Sequence, residues 1–371
     1  MSLSQRVKPL RLACVGLGRM GCIRSEAIAT HPKAQLAWVV DLDEGRRSEF
    51  SARFAAKGSS NAADALSDES VDAVWIAAPT DAHEDLIKEA LANGKAVGVE
   101  KPVCNSPVAA ASCYDAAESA GLPLFCSFQR RFDPTYQDVA THVASGAIGT
   151  VKKIHAVFRD HPCPDLDFLK RGGDPFHDLL VHDIDYILSE IMKVKAADEL
   201  PSRILGSGTS FMPELKEVDV MDTASLHLEF PGGVVATLEA DRFASYGYDQ
   251  RIEIFGTGGM AQVGNPPQSS TFLANSAGLH SSRLKHSFPE RFFAAYRVEI
   301  DAFLKTLVGE MEPPVKRSDV LYSSLVAEAG RLSAITGDVL SPRLDETTKE
   351  LSLYTAQGDH VLTAHRGGGR S

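Results

Sequence analysis

Short apolar runs alternate with helical patterns over the first third of the chain. The runs RLACVGLG, QLAWVVD, VDAVWIAAP, AVGVEKP and PLFCSFQRR predict five buried strands. The segments between them have the spacing of helices, and the one over EGRRSEFSARFAAKG is expected to end at Gly58. Because strands that alternate with helices favour a parallel sheet, residues 1–133 are predicted to form a doubly wound α/β domain of the Rossmann type.

The pattern changes after Asp133. A connecting helix (TYQDVATHVASGAIG) and a strand (VKKIHAVFRD) lead to the helix FHDLLVHDIDYILSEIM, and four strands then follow one another, two of them joined by a Pro-Gly-Gly turn at 231–233. Two further helices, RFFAAYRVEIDAFLKTLVG and LYSSLVAEAGRLSAITG, come after them. This order predicts a second, α+β domain over residues 134–345 with a large, mainly antiparallel open sheet. A tail, 346–371, follows, with a hairpin expected around Gly358.

Composition fits two globular domains and narrows the range of partners. The chain has 371 residues, of which 44% are hydrophobic and 23% charged, and its formal net charge is -11. A protein that binds a phosphate backbone or an anionic membrane needs clustered Lys and Arg. Neither nucleic acid nor a membrane is therefore an expected partner of so acidic a chain.

The cysteines and the N-terminus bear on the compartment. Six cysteines lie far apart without a C-x-x-C pair, which favours reduced, mostly buried thiols. The start MSLSQRVKPL has no apolar run, and no segment approaches the ~20 apolar residues that span a bilayer. A cytoplasmic protein is therefore expected.

The segment Gly16-Leu17-Gly18-Arg19-Met20-Gly21 has the spacing G-x-G-x-x-G between a predicted strand and a predicted helix. In this context the first glycine makes the turn, the second lets the backbone approach a pyrophosphate, and the third lets helix and strand pack closely. The free N–H groups at the helix N-terminus then face the phosphates. A tight turn without a ligand is the alternative, and the flanking strand and helix favour a dinucleotide.

Asp41 ends the second predicted strand, 20 residues beyond Gly21. A carboxylate at this place bonds ribose hydroxyls and repels a 2′-phosphate, which favours NAD over NADP. Arg46 and Arg47 are evidence in the other direction, because a basic pair nearby suits a 2′-phosphate. They fall within the following helix, however, and are expected to be solvated.

Polar residues follow two other strands at the same predicted edge of the sheet. Glu100-Lys101-Pro102 ends the fourth strand, and Ala78-Pro79-Thr80 ends the third, with His83 one helical turn further on. Ligands of parallel sheets bind at this edge, so Lys101 is predicted to contact a ligand. A solvated surface lysine is the alternative.

Asp178 and His182 are four residues apart on a predicted helix and so share one face, with Asp183 and Asp185 following. A carboxylate orients a histidine and stabilises its imidazolium, as a general base requires. A surface pair near a helix start is an equal alternative. His177 adds a further metal-ligand type, but the intervals match no zinc-helix motif, and no metal is expected.

These motifs, in this order and spacing, resemble the Gfo/Idh/MocA oxidoreductases over roughly residues 10–340. The glycine loop, the segment 128–134 (FQRRFDP), Arg159-Asp160 and the segment 246–249 (YGYD) resemble the inositol 2-dehydrogenases of that family in particular. The resemblance implies NAD-dependent oxidation of a secondary hydroxyl of a cyclic polyol or sugar, myo-inositol first. It also implies a homodimer or homotetramer that assembles through the C-terminal sheet.

The resemblance further implies residue roles. Lys101 would hold the reacting oxygen by a charged hydrogen bond, His182 would take the hydroxyl proton, and Asp178 would support the pair. The residues expected to contact the substrate are Lys101, Arg130, Asp160, Asp178, His182 and Tyr248. The residues expected to contact the cofactor are Gly16, Gly18, Arg19, Met20, Gly21, Asp41, Pro79, Thr80, His83, Glu100, Lys101 and Gln129. The alternatives from the residues alone are a salt bridge between domains for one of Arg130 and Arg131, a loop cap for Asp160, and a half-buried strand position for Tyr248.

Two departures from the family pattern bear on the substrate. Gln129 stands where the inositol enzymes carry a small apolar residue or Met, and the loop 161–175 is longer and richer in Pro and Asp. Another sugar, polyol or dihydrodiol dehydrogenase, or a glycosidase that recycles tightly bound NAD, is the alternative function. A non-catalytic NAD-bound sensor is disfavoured, because Lys101, Asp178 and His182 are all present.

Overall fold

The computed structural model describes residues 9–170, 174–344 and 350–366, which fall into two compact units. The first comprises the residues up to Asp133 together with Ala294–Leu321, and the second comprises Pro134–Phe293 and the residues from Tyr322 onward. None of the described helices is long and apolar enough to cross a membrane.

The first unit contains a sheet of six parallel strands, the five that the apolar runs predict and one short additional strand. The strands are β1 (Leu10–Val15), β2 (Ala34–Val40), β3 (Lys57–Ser59), β4 (Ala73–Ile76), β5 (Ala96–Val99) and β6 (Leu124–Cys126). They lie in the order β3-β2-β1-β4-β5-β6. All residues of β4 and β5 are buried, which explains why their apolar runs are continuous rather than alternating. Strand order reverses between β1 and β4, which marks the carboxyl ends of these strands as the ligand-binding edge.

The helices of this first stretch are α1 (Arg19–Ala29), α2 (Glu44–Phe54), α3 (Ala62–Leu66), α4 (His83–Ala92) and α5 (Pro107–Ala120). The prediction that α2 runs to Gly58 is wrong. Ala55 takes a left-handed conformation with φ 53° and ends α2, and the next residues pair with β2 as β3. Gly58 permits a close approach instead, because a Cβ there would lie 2.5 Å from the Ser51 Oγ atom.

The second unit contains a sheet of nine strands. They are β7 (Val151–Arg159), β8 (Arg203–Thr209), β9 (Thr223–Glu229), β10 (Val235–Asp241), β11 (Asp249–Gly256), β12 (Met260–Val263), β15 (Leu340–Leu344), β16 (Glu350–Thr355) and β17 (His360–Arg366). A separate hairpin consists of β13 (Phe272–Asn275) and β14 (Gly278–Ser281).

The order of this sheet is β12-β11-β7-β10-β9-β8-β15-β16-β17. Only β7 and β10 run parallel among these neighbours, which confirms the predicted, mainly antiparallel sheet. Alternate residues of β9 and β10 are buried, and Gly232 and Gly233 form the predicted turn between them. Strands β16 and β17, from the predicted tail, form the hairpin expected around Gly358 and extend the sheet.

The helices of the rest of the chain are α6 (Pro134–Ala144), α7 (Leu166–Lys170), α8 (Val181–Tyr186), α9 (Pro213–Lys216), α10 (Phe288–Arg291), α11 (Phe293–Leu307) and α12 (Arg317–Thr336). Helix α8 is the middle of a helical segment over 176–191 whose two ends are wider π turns. Of the Pro- and Asp-rich loop, residues 171–173 lie outside the described residues.

One stretch falls in the other unit from the one predicted. Residues 294–321 were expected in the second domain, but they pack within the first unit. Phe303 of α11 explains this, because its ring contacts those of Trp75 and Phe125 at centroid distances of 5.3 and 5.5 Å. Long-range aromatic packing of this kind leaves no local signal in the sequence.

Candidate active site

The glycine loop has the geometry that its spacing predicts. Gly16 takes a φ of +88°, which favours glycine. A Cβ on Gly16 would lie 2.6 Å from the backbone of Ala77, and one on Gly21 would lie 1.8 Å from the carbonyl oxygen of Gly16. Both positions therefore need glycine, one for the turn and one for close packing of α1 against the loop.

The loop leaves room for a ligand at the N-terminus of α1. Gly18 is the N-cap residue, and no described side chain caps the helix there. A Cβ built on Gly18 would have no described atom within 4 Å, so open space begins at the backbone itself. Arg19 is exposed and Met20 is half-buried in the first turn. A helix N-terminus without a side-chain cap, beside the open space at Gly18, fits the pyrophosphate of a dinucleotide.

The carboxylate of Asp41 lies beside this loop. Its Oδ2 atom accepts a hydrogen bond from the Leu17 N–H at 2.6 Å, and its Oδ1 atom accepts a second backbone N–H at 2.8 Å. The prediction that both arginines of α2 are solvated holds for the exposed Arg46 but is wrong for Arg47. The Arg47 guanidinium donates to the carbonyl oxygens of Asp41 and Leu42, and these hydrogen bonds hold the segment that carries the Asp41 carboxylate in place.

His83 bridges two loops at the carboxyl edge of the sheet. Its Nδ1 atom lies 2.9 Å from the carbonyl oxygen of Pro102, and its Nε2 atom lies 2.9 Å from that of Ala78. The residue is 1% exposed. Both ring nitrogens of His83 thus face backbone carbonyl oxygens of its own unit, and its predicted cofactor contact stays a prediction. Pro79 is exposed and Thr80 half-buried beside it.

Glu100 is also predicted to contact a cofactor; one oxygen of its carboxylate belongs to a buried network, and the cofactor contact stays a prediction. Its Oε1 atom accepts hydrogen bonds from Arg24 Nε at 2.6 Å and Trp75 Nε1 at 3.0 Å. Arg24 extends from α1, is fully buried and contacts Glu299 of α11 at 2.7 Å. The network fixes the residue that precedes the half-buried Lys101. Spacing could not indicate it, because its members come from distant segments.

Burial makes this network electrostatically unusual. The carboxylates of Glu100 and Glu299 both lie beside the guanidinium of Arg24. Burial alone would lower the pKa of Arg24, but the two carboxylates outweigh burial and raise it. Burial raises the pKa of Glu299 to about 7, although Arg24 and Ser127 favour its charged form. The network therefore tends to hold a proton on Glu299 at neutral pH, which reduces its excess negative charge.

A buried turn over 129–132 follows β6 and carries three predicted residues. Gln129 is 7% exposed and Arg130 is 1% exposed. Arg131 donates to a carboxylate oxygen of Asp319 at 2.9 Å and to the carbonyl oxygen of Pro314 at 3.0 Å. One of the two arginines thus forms an ion pair as expected, but its partner belongs to the same unit rather than to the second domain.

Predicted residues of the second unit come to one edge of its sheet. The last residue of β7 pairs with the last of β10 and with the first of β11, so the predicted residues Asp160 and Tyr248 lie at this edge, together with Arg242. Asp160 is 7% exposed, and one of its oxygens caps the loop by accepting the His161 N–H at 2.9 Å. Tyr248 is 2% exposed, and its ring packs 5.7 Å from that of Phe158.

The helical segment over 176–191 adds Asp178 and His182 to this unit's site. Asp178 accepts a hydrogen bond from Arg242 Nη1 at 2.5 Å. Arg242 is fully buried, whereas the Asp178 side chain is 23% exposed. His182 is buried, and its ring lies 6.4 Å from that of Phe158, which also contacts Tyr248. The sequence prediction missed Arg242, whose only signal is its position at the end of a predicted strand.

Family profiles match both parts of the chain. The profile of the Gfo/Idh/MocA oxidoreductase family, NAD-binding Rossmann fold, matches residues 10–128. The profile of the Gfo/Idh/MocA C-terminal domain matches residues 136–262.

Known proteins are similar over nearly the whole chain. The scyllo-inositol 2-dehydrogenase (NAD(+)) of Bacillus subtilis is 31% identical over 88% of this chain and 95% of its own. The myo-inositol 2-dehydrogenase of Thermotoga maritima is 29% identical over 87% of this chain and 96% of its own. The crystal structure of the scyllo-inositol dehydrogenase from Lactobacillus casei with bound NAD(H) and scyllo-inositol has a TM-score of 0.82 at 25% identity, over 90% of this chain and 98% of that one.

Proposed function

Because the chain belongs to the Gfo/Idh/MocA family of NAD-binding oxidoreductases, we propose that it oxidises a secondary hydroxyl of a cyclic polyol, myo-inositol first, to the ketone. The observation that carries this proposal is the similarity to inositol dehydrogenases along almost the entire chain. The site agrees with it, since a ring with several hydroxyls needs several positioned polar partners. Asp160, Asp178 and Tyr248 supply such partners in the second unit.

We propose NAD rather than NADP as the cofactor. The loop glycines Gly16, Gly18 and Gly21 would hold its pyrophosphate, and Asp41 would bond the adenosine ribose and repel a 2′-phosphate. The two backbone hydrogen bonds to Asp41 support this role, because they keep its carboxylate beside the loop. When bound, NAD supplies the acceptor for the hydride that leaves the hydroxyl-bearing carbon.

Lys101 is proposed to hold the reacting hydroxyl. Its ammonium group would donate a charged hydrogen bond to the substrate oxygen and stabilise the negative charge that develops as the proton leaves. Its neighbours in the chain are fixed on both sides, Glu100 by Arg24 and the Pro102 carbonyl by His83. A donor held in advance needs little reorganisation during the reaction, which supports this role.

His182 is proposed as the general base that accepts the hydroxyl proton. Its ring is buried beside Phe158, so bulk water competes little for that proton. Asp178, one helical turn earlier, would stabilise the imidazolium that forms. Arg242 would hold the Asp178 carboxylate in place by the hydrogen bond between them. Arg130, Asp160 and Tyr248 are proposed to bond the hydroxyls that do not react.

We propose that the protein assembles into a homodimer or homotetramer through the sheet of the second unit. Alternate side chains of β8 and β11 point away from the core, and among them Leu205 and Phe255 are exposed. Apolar side chains on an otherwise polar sheet face suit contact with a second copy. Sedimentation equilibrium of the wild type and of Leu205→Asp tests this, and a wild type that stays monomeric at micromolar concentration contradicts it.

A spectrophotometric screen of cyclitols and aldoses with NAD and NADP tests the proposed function. Growth of NADH absorbance with myo-inositol or another cyclitol is expected, with a higher kcat/KM for NAD. The absence of net NADH with every free polyol, together with glycoside cleavage, would instead favour a glycosidase that recycles its NAD. Turnover of aldoses alone would indicate that the substrate is a sugar rather than a cyclitol.

A further inference from the structure

Two cysteines face each other close to the segment that carries Lys101. Cys104 lies in the loop after β5, and Cys113 lies in α5, with 3.6 Å between their sulfur atoms. Both are buried, at 7% and 0% exposure. No disulfide is present among the described residues. The proposed function uses neither thiol, so their pairing needs another explanation.

The geometry of the pair suits a disulfide. A disulfide bond is about 2.0 Å long, so the two sulfur atoms would need to approach each other by roughly 1.5 Å. One end of the pair is firmly held, because α5 is capped by Ser106, whose side chain accepts the Ala109 N–H at 3.1 Å. The other end is a loop residue. The loop that begins at Lys101 would therefore make most of the movement that brings the two sulfur atoms together.

We propose that Cys104 and Cys113 are a redox-sensitive modification site, at which hydrogen peroxide forms a reversible disulfide that displaces Lys101 and stops turnover. The second half of this inference, the loss of turnover, rests on the function proposed above. The first half, the disulfide itself, stands independently of any substrate.

The chemistry proceeds in two balanced steps. One thiolate attacks a peroxide oxygen, the O–O bond breaks, and with one proton taken up the products are a sulfenic acid and one water. The second thiol then attacks the sulfenic sulfur, the S–O bond breaks, and a second water leaves as the S–S bond forms. Two thiols lose two electrons in total, and one peroxide molecule gains them.

The pair also contains a thiol suited to the first step. The hydrogen bond from Cys104 lowers the pKa of Cys113, because it stabilises the thiolate, and the pKa of Cys104 is raised in turn. Burial opposes both thiolates, and on α4 Glu84 opposes them more than its ion-pair partner Lys88, 2.6 Å away, favours them, so the lowered pKa of Cys113 comes from the hydrogen bond between the two sulfur atoms.

The structure connects the pair to Lys101 through few residues. Cys104 comes three positions after Lys101, and between them the Pro102 carbonyl is held by His83 at 2.9 Å. A disulfide would draw Cys104 towards α5 against this hydrogen bond. A displacement of about 1 Å at a reacting group costs on the order of 100-fold in rate, so even a small shift of Lys101 would stop most turnover.

Peptide mapping of the full-length protein tests the disulfide without reference to activity. The protein is treated with hydrogen peroxide, free thiols are alkylated, and a second alkylating reagent follows reduction. Cleavage after Glu100 and Glu118 leaves Cys104 and Cys113 on one peptide, 101–118, that contains none of the other four cysteines. We expect both cysteines of this peptide to carry the second reagent. The proposal would be overturned if, after peroxide treatment, these cysteines still reacted with the first reagent, or if they were oxidised to sulfinic acids without forming a disulfide.

Kinetics on the same samples test the coupling to Lys101. We expect peroxide to lower kcat at least 10-fold in the wild type and in the control variant Cys163→Ser, and a thiol reductant to restore it. Cys104→Ser and Cys113→Ser should each keep their kcat in peroxide. A crosslinked wild type with unchanged kcat would overturn the coupling. If no polyol is turned over at all, the proposed function fails, while the mapping still decides whether the disulfide forms.

Discussion

Arg24 in the first unit and Arg242 in the second are both fully buried, and each pairs with a carboxylate close in sequence to a proposed catalytic residue. Arg24 holds Glu100, which precedes Lys101, and Arg242 holds Asp178, which lies one helical turn before His182. The surroundings of the two pairs differ. Arg24 also contacts Glu299 and lies over the Trp75 ring at 4.4 Å, in a fully buried setting.

The Arg242 pair is open on one side, because the Asp178 side chain is 23% exposed. A carboxylate that solvent reaches can also meet a substrate, whereas the carboxylate of Glu299, at 0% exposure beside Arg24, cannot. We therefore infer that the Arg24 network serves stability and positions Lys101 indirectly, while the Arg242 pair serves the reaction. Variants that separate unfolding free energy from turnover test this difference.

Arg24→Met should have the largest effect on stability. It leaves the carboxylates of Glu100 and Glu299 buried without their counter-charge, which costs about 3–5 kcal/mol in unfolding free energy. Urea denaturation at pH 8, followed by circular dichroism, measures the loss. The double variant Arg24→Met/Glu299→Leu should recover part of it, since one uncompensated charge is removed. A loss below about 1 kcal/mol would show that the network is not electrostatically important.

Arg242→Met should act mainly on turnover. Without its partner, the Asp178 carboxylate can shift by an ångström or so, and kcat should fall about 100-fold. The unfolding free energy should fall by less than in Arg24→Met, because solvent reaches Asp178. Arg242→Lys keeps the charge and should recover part of kcat. An Arg242→Met protein as destabilised as Arg24→Met but with wild-type kcat would reverse the comparison.

Glu299→Gln should remove a pH dependence of stability. The native pKa of Glu299 is about 7 and its ordinary value is 4.5, so the folded protein binds a proton that the unfolded chain has released. The contribution is fully present below pH 4.5 and is lost as the pH rises through 7. Between pH 5 and pH 8 the wild type should therefore lose on the order of 1–3 kcal/mol more than Glu299→Gln. Parallel stability curves for the two proteins would contradict this assignment.

Asp41→Ala should have the smallest effect of the four. Removal of the carboxylate ends its repulsion of a 2′-phosphate, so the ratio of kcat/KM for NAD to that for NADP should fall about 10-fold. Asp43→Ala is the matched control, because the Asp43 carboxylate lies two residues from Asp41 and caps α2 by accepting the Arg46 N–H. A ratio unchanged in Asp41→Ala would exclude the role proposed for this carboxylate.

The sequence predicts the parts of this site that depend on local spacing. The glycine loop, Asp41 and the segment around Lys101 follow strands whose apolar runs are continuous, so their places at one sheet edge could be inferred. Asp178 and His182 share a helix, so their common face could be inferred as well.

The partners that hold these residues could not be predicted. Glu299 reaches Arg24, and Arg242 reaches Asp178, only because the chain folds back over long distances. The internal hydrogen bonds of the His83 ring and of one Glu100 carboxylate oxygen could not be predicted either, because their partners come from other segments. The end of α2 was misplaced because Ala55 takes a left-handed conformation, which a sequence pattern assigns to Gly58 instead.

His182 is proposed to take the proton of the hydroxyl that Lys101 holds. Steady-state NADH formation from the best cyclitol by His182→Ala and Lys101→Ala, with NAD affinity measured separately by calorimetry, tests it most directly. We expect kcat to fall by about 10²–10⁴-fold in each variant while NAD still binds with near wild-type affinity. Near wild-type turnover in either variant would contradict it.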